Sequence, residues 1–206
     1  RVCVDDFQID LLCGGSQKAV SAPPGLSFVT ISADAYQAMR SRKTPVASFY
    51  ANILAFDGYY ENQWFPYTMP ISDIYGLRQA FDNIKNDPDM LKRHAKIADA
   101  VREAVKEAGL ELYQETGFSN TVTVFNVPKG TTDTAILTAM KERCNIMLAG
   151  SFGAFAGKVI RIGHMGENAY PKKVEAVMAG LDKVFADLGI SLKCSLKEAY
   201  NKRMNG

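Results

Sequence analysis

Apolar residues recur along this chain with two periods, and the period in each stretch assigns the element. The run Ile9-Asp10-Leu11-Leu12-Cys13 is short, apolar and followed by Gly14-Gly15, which predicts a buried strand over 9–13. Residues 26–31 (LSFVTI) are rich in β-formers and predict a second strand. Ser32 then stands where a helix cap belongs, and Asp34 falls in the first turn of a helix predicted over 33–42. Residues 43–70 lose the periodicity and gather Phe49, Tyr50, Phe56, Tyr59, Tyr60, Trp64, Phe65 and Tyr67. Ile74, Leu77, Phe81 and Ile84 restore helical spacing, with Ser72 as the expected cap. Asp87-Pro88 predicts a new helix with Asp87 as cap and Pro88 at its first position. Its inner face is expected to be Leu91, Ala98, Val101, Val105 and Ala108, with His94 exposed and Gly109 as the stop.

The remainder alternates strand and helix patterns. Strands are expected over 121–127, 146–148 and 158–162, the last two around a glycine-rich loop at 150–157. Thr132 or Asp133 opens a helix through Ile136 and Met140. Pro171 starts a long helix with Val174, Met178, Leu181, Phe185 and Leu188 on one face. The tail, 191–206, is polar and is expected to form an amphipathic helix that frays. The class is therefore α/β. The polar stretch NIKNDPD at 83–89, interrupted by a proline, places a domain boundary between 1–86 and 87–206.

Composition narrows the function classes. The 206 residues are 47% hydrophobic and 22% charged, as in ordinary globular chains. A formal net charge of +2 gives no reason to expect nucleic acid or an anionic membrane as partner. No apolar run approaches the ~20 residues that a membrane span needs. Cys3, Cys13, Cys144 and Cys194 form no C-x-x-C pair and have no histidine at ligand spacing. They are expected to be free thiols in a reducing, cytoplasmic compartment, with no structural metal.

The chemistry concentrates at Lys18. It follows Gly14-Gly15-Ser16-Gln17 and precedes the rigid Pro23-Pro24-Gly25. A phosphate loop needs glycine directly before the lysine and serine or threonine after it, but Gln17 and Ala19 stand there. A serine nucleophile elbow fails as well, because Lys18 takes the place of the last glycine. Two readings stay open: a solvated surface lysine, or an amine held on a stiff loop for condensation with a carbonyl, with Ser16 and Gln17 as phosphate donors. Arg161 lies in the apolar stretch Val159-Ile160-Arg161-Ile162, where a guanidinium has either a carboxylate ligand or a structural ion-pair partner. His164 sits between two glycines, as a residue lining a site or, more often for a lone histidine in a turn, as a hydrogen-bonded structural group.

Ser16-Gln17-Lys18-Ala19 followed by Pro23-Pro24-Gly25 resembles the cofactor-lysine segment of the class V pyridoxal-phosphate aminotransferases, in the alanine–glyoxylate / serine–pyruvate branch. Tyr67-Thr68-Met69-Pro70 with 71–80 (ISDIYGLRQA), and 158–166 (KVIRIGHMG), resemble two further segments of that family in the same order. The resemblance implies fold type I and a chain corresponding to its C-terminal half. Residues 1–86 would be the end of the large cofactor domain and 87–206 the small α/β domain. It implies pyridoxal 5′-phosphate as cofactor, with Lys18 joined to it and then shuttling the substrate's α-proton. Gln17 would hold the cofactor's phosphate, as would Thr68 from the neighbouring subunit of a homodimer. Arg161 would bind the α-carboxylate of a small amino acid such as alanine or serine, with glyoxylate or pyruvate as the 2-oxo acid.

Two departures qualify the match. Close relatives carry a tyrosine phosphate ligand where this chain has Phe65, leaving Thr68 alone or Tyr67 as substitute. The family's ring-nitrogen aspartate has no counterpart, since Asp5, Asp6 and Asp10 fall in the wrong segment. These 206 residues alone are accordingly expected neither to hold the cofactor tightly nor to transaminate. Alternative readings are ureidoglycine–glyoxylate transfer, a lyase of the same fold such as a cysteine desulfurase, or a non-catalytic dimerising module. The lyase would need a cysteine on a mobile loop, a setting not expected for Cys144 or Cys194.

Overall fold

The first two strands pair because a glycine lets them approach. In the computed structural model, which describes residues 2–206, β1 (Leu11–Gly15) runs antiparallel to β2 (Ser27–Ile31). The register sets Leu11 opposite Ile31, Cys13 opposite Val29 and Gly15 opposite Ser27. The glycines lie inside β1 rather than after it. A Cβ on Gly14 would meet the Phe28 ring at 2.2 Å, so only glycine admits that ring across the ladder. Nor is β1 buried as expected: Leu11 and Val29 are about half exposed.

The chain divides into two compact units, Arg1–Asn86 and Asp87–Gly206. In the first, α1 (Ala33–Arg40) is capped as expected, the Ser32 hydroxyl accepting from the Ala35 N–H at 3.0 Å. A single 3-10 turn, Ile53–Phe56, precedes α2 (Ile71–Lys85). Ser72 is not the cap of α2. Ile74 N–H already donates to the Pro70 carbonyl at 3.0 Å, so Pro70 is the last non-helical residue and Ser72 lies in the first turn. Of the expected inner face of α2, Ile74 and Phe81 are exposed and Leu77 and Ile84 half-buried; the buried residue of this helix is Ala80, outside that face.

In the second unit, α3 (Met90–Glu107) starts later than expected. Asp87 does not cap it, because its carboxylate is held by both terminal nitrogens of Arg93. The guanidinium keeps that carboxyl below the usual carboxylate range. His94, Ile97, Ala98, Val101, Ala104 and Val105 form the buried stripe of α3. His94 is therefore inside rather than exposed, at the spacing that puts it above Ile97 and Ala98, while Leu91 is exposed. Gly109, at φ +82°, ends the helix.

β3 (Val122–Asn126) pairs antiparallel with β4 (Val159–Gly163), with Val124 opposite Arg161. Between them, α4 (Asp133–Cys144) is capped by Thr132 and ended by Asn145 in the left-handed region. Residues 146–148 form no strand; one bridge joins Ala149 to Arg161. α5 (Pro171–Asp187) buries Val174, Met178, Leu181 and Phe185 as expected.

The tail does not fray. α6 (Leu196–Asn205) buries Leu196, Ala199 and Tyr200 in the core with α3 and α5. Its N-terminus is closed from another helix: the Asp182 carboxylate of α5 accepts from Leu196 N–H at 2.7 Å and Lys197 N–H at 3.0 Å. No helix among the described residues is long and apolar enough to cross a membrane.

Candidate active site

Lys18 stands on the loop joining β1 to β2, and that loop is closed by its own backbone. The Ser16 N–H donates to Leu26 O at 3.0 Å, and Ala22 N–H donates to Ser16 O at 2.9 Å. Beyond Ser16 the chain turns, with Ser21 N–H donating to Lys18 O at 2.9 Å and Ser21 in the left-handed region at φ +61°. Gln17 and Lys18 are exposed, whereas Ser16 is fully buried. The Ser16 hydroxyl donates to Pro23 O and accepts from Leu26 N–H. The loop's far limb rests on α2: a Cβ on Gly25 would lie 2.1 Å from Asp73 Oδ2, and one on Gly76 would lie 3.0 Å from Pro23 Cδ.

Within its unit, no carboxylate among the described residues pairs with the Lys18 amine. Thr68 is exposed three residues before α2. Tyr67 is otherwise engaged, donating its hydroxyl to Phe49 O at 3.1 Å. Phe65 packs edge-on against Phe56, Tyr59 and Tyr67 in the aromatic cluster. Asp10 accepts from the Ser32 hydroxyl at 2.6 Å and so ties the start of β1 to the α1 cap.

In the second unit, Arg161 projects from β4 with its neighbours Ile160 and Ile162 buried. Its Nε donates to Gly150 O at 2.6 Å, and its backbone N–H donates to Ala149 O at 2.7 Å. The glycine-rich segment is thus tethered to Arg161. No carboxylate of this unit pairs with Arg161 among the described residues, so the structural ion-pair reading has no partner there.

The turn after β4 is held by residues whose role the sequence reading missed. His94 donates from Nδ1 to Met90 O at 2.7 Å and accepts at Nε2 from Gly166 N–H at 2.9 Å. Arg93 donates from Nε to Ala169 O at 2.9 Å and stacks 4.5 Å over the Tyr170 ring. Position on the buried stripe was the available signal for His94; Arg93 left none.

His164 is fully buried, with Nε2 at 2.9 Å from the Thr123 hydroxyl and no partner for Nδ1 among the described residues. Burial lowers its pKa from 6.5 to about 4. The unfolded chain therefore takes up a proton below pH 6.5 that the folded chain refuses until about pH 4. Stability is complete above pH 6.5 and is expected to fall by roughly 3 kcal/mol as the pH drops through that window. Urea unfolding at stepped pH checks this against His164→Gln, which cannot titrate; equal slopes for the two proteins would refute the assignment.

Cys144 ends α4 half-buried, but Cys194 occupies an exposed bend before α6, against expectation. That bend is anchored by Lys193 N–H donating to Ala108 O at 3.0 Å.

The donor chemistry suits the expected cofactor. The first unit offers a primary amine with no ionic partner among the unit's described residues, beside an amide on the same loop: groups for a carbonyl and a phosphate. The second offers a guanidinium whose terminal nitrogens face no carboxylate of that unit, which suits a carboxylate ligand.

Comparison with known proteins agrees. An uncharacterized aminotransferase of Methanocaldococcus jannaschii is 36% identical over 93% of this chain and 50% of its own length. The serine–glyoxylate aminotransferase of Arabidopsis thaliana is 35% identical over 90% of this chain and 47% of its own. The crystal structure of ureidoglycine–glyoxylate aminotransferase from Bacillus subtilis superposes with a TM-score of 0.94 at 26% identity, over 100% of this chain and 55% of that one. The chain spans about half the length of the curated relatives it matches. Its fold is that of the fold type I pyridoxal-phosphate-dependent aminotransferases. Residues 1–166 match the family Aminotransferase class-V, and the chain belongs to that family.

Proposed function

We propose that the protein transfers an amino group between a small amino acid, alanine or serine, and a small 2-oxo acid, glyoxylate or pyruvate. The observation that carries the reading is Lys18: an exposed amine, without an ionic partner among the described residues of its unit, on a loop held closed by backbone bonds. Pyridoxal phosphate, when bound, supplies a carbonyl that condenses with amines and a ring that withdraws electrons from the substrate's Cα. Lys18 anchors it and moves the α-proton as general base and acid. Gln17 donates its amide to the phosphate, and Thr68 its hydroxyl to the phosphate in the neighbouring subunit of a homodimer. Arg161 grips the α-carboxylate with the nitrogens that Gly150 leaves free. In this reading 1–86 is the end of the cofactor domain and 87–206 the small domain.

Glyoxylate is favoured as acceptor, since it recurs in the names of the serine, aspartate and alanine enzymes among the relatives. Likeness to the ureidoglycine enzyme supports ureidoglycine as a second donor to try. The test is a donor panel against glyoxylate and pyruvate, using the protein in the full form its gene encodes. Turnover with alanine or serine, accompanied by a change in the cofactor's visible spectrum, is the expected result. No turnover with any small donor would sink the reading.

A further inference from the structure

We infer that Ser16 is a positioning residue for Lys18: it fixes the loop on which the amine stands and does not bind the cofactor's phosphate. The inference rests on the reading of Lys18 as the cofactor lysine. Ser16 is buried while the next two residues are exposed. Its backbone and side chain together hold three points on the far limb of the loop. The carbonyl takes Ala22, the hydroxyl donates to Pro23 O, and Leu26 is bonded at both its N–H and its carbonyl. A serine hydroxyl has one proton. Here that proton goes to a carbonyl inside the loop, so donating to a phosphate would break the closure and draw a buried side chain outward.

Lys18 gains from that closure. A lysine side chain is flexible and carries much rotamer entropy. If its backbone also wandered, the amine would spend little time at reacting distance. Pinning the loop two residues earlier removes the backbone share of that freedom. The limb that Ser16 grips is itself seated: Pro23 abuts Gly76, and Gly25 abuts Asp73, both on α2.

The test compares Ser16→Ala and Ser16→Cys with the unmodified protein in the full form its gene encodes. Amide exchange at Ala22 and Leu26 is measured without cofactor. Apparent affinities for pyridoxal phosphate and for pyridoxal, which lacks the phosphate, are read from the visible absorbance of the lysine adduct. Ser16→Ala is expected to speed exchange at Leu26 roughly tenfold, and to weaken both ligands by the same factor, roughly tenfold. Ser16→Cys keeps a weak donor and acceptor of similar size and falls between; it carries the comparison if the alanine variant does not fold. Weakening for pyridoxal phosphate alone would make the hydroxyl a phosphate donor and overturn the inference. Faster exchange with both affinities unchanged would overturn it too. An unmodified protein that forms no adduct on the Lys18 peptide after borohydride reduction removes the reading of Lys18 itself, and this inference with it.

Discussion

Replacing Lys18 by arginine is expected to abolish amino transfer even though the positive charge remains. The rate should fall by roughly 10³-fold or more, the scale on which a lost proton-transfer group acts. Borohydride reduction followed by peptide mass analysis should then find no cofactor on the segment containing residue 18. The reason is chemical rather than electrostatic. A guanidinium stays protonated in proteins, so it has no lone pair with which to condense with a carbonyl or accept a proton from Cα. Lys18→Ala should lose as much, but a small primary amine added to the buffer should restore part of the rate. Arginine at this position with unimpaired turnover would return Lys18 to the solvated-surface reading, which its exposure alone does not exclude.

Arg161→Ala should raise KM for the amino acid by roughly 100-fold, the range for losing a charged, paired hydrogen bond, with a smaller fall in kcat. A contact made equally in ground and transition states acts on KM, and the α-carboxylate keeps its charge while the neighbouring Cα–H bond breaks, so most of the loss is expected in KM. Arg161→Lys should recover only part, because an ammonium cannot hold Gly150 O and still present two parallel donors. The discriminating measurement is the preference for an amino acid over the matching amine without its carboxylate. The unmodified protein should show a strong preference and the alanine variant little. Preference retained in Arg161→Ala would place the carboxylate elsewhere.

Much of the second unit was legible because its helices carry their burial in their spacing. Val174, Met178, Leu181 and Phe185 recur every three or four residues and are buried accordingly. His94 obeys the same rule, yet its polarity pointed outward; the expectation failed by weighing residue type above position. Its two nitrogens are satisfied by Met90 O and Gly166 N–H, which makes burial tolerable, and the second partner lies 72 residues away in sequence. The failed cap at Asp87 has the same origin, and α6 shows how far a second capping group can lie from its helix in sequence. Asp87 is a good cap by type, but Arg93 takes its carboxylate; α6 has Ser195 as its cap and adds Asp182 from a different helix.

The candidate site divides along the same line. Lys18, Gln17, Thr68 and Arg161 are nameable from motifs, because a motif records which functional groups a chemistry requires. Which groups are already occupied is not recorded there. Ser16 and Tyr67 look like available hydroxyls in sequence, and in the fold each donates to a backbone carbonyl.

By itself, then, the sequence determined the buried spacing of α5 and most of α3, and named the amine at 18 and the guanidinium at 161 as candidates. Those depend only on covalent structure and local backbone geometry. Tertiary structure alone decided that Ser16 faces inward, that His94 is buried and that α6 docks. Hydrogen-bond saturation and burial depend on partners brought close by folding, and neighbouring residues do not encode where those partners will be.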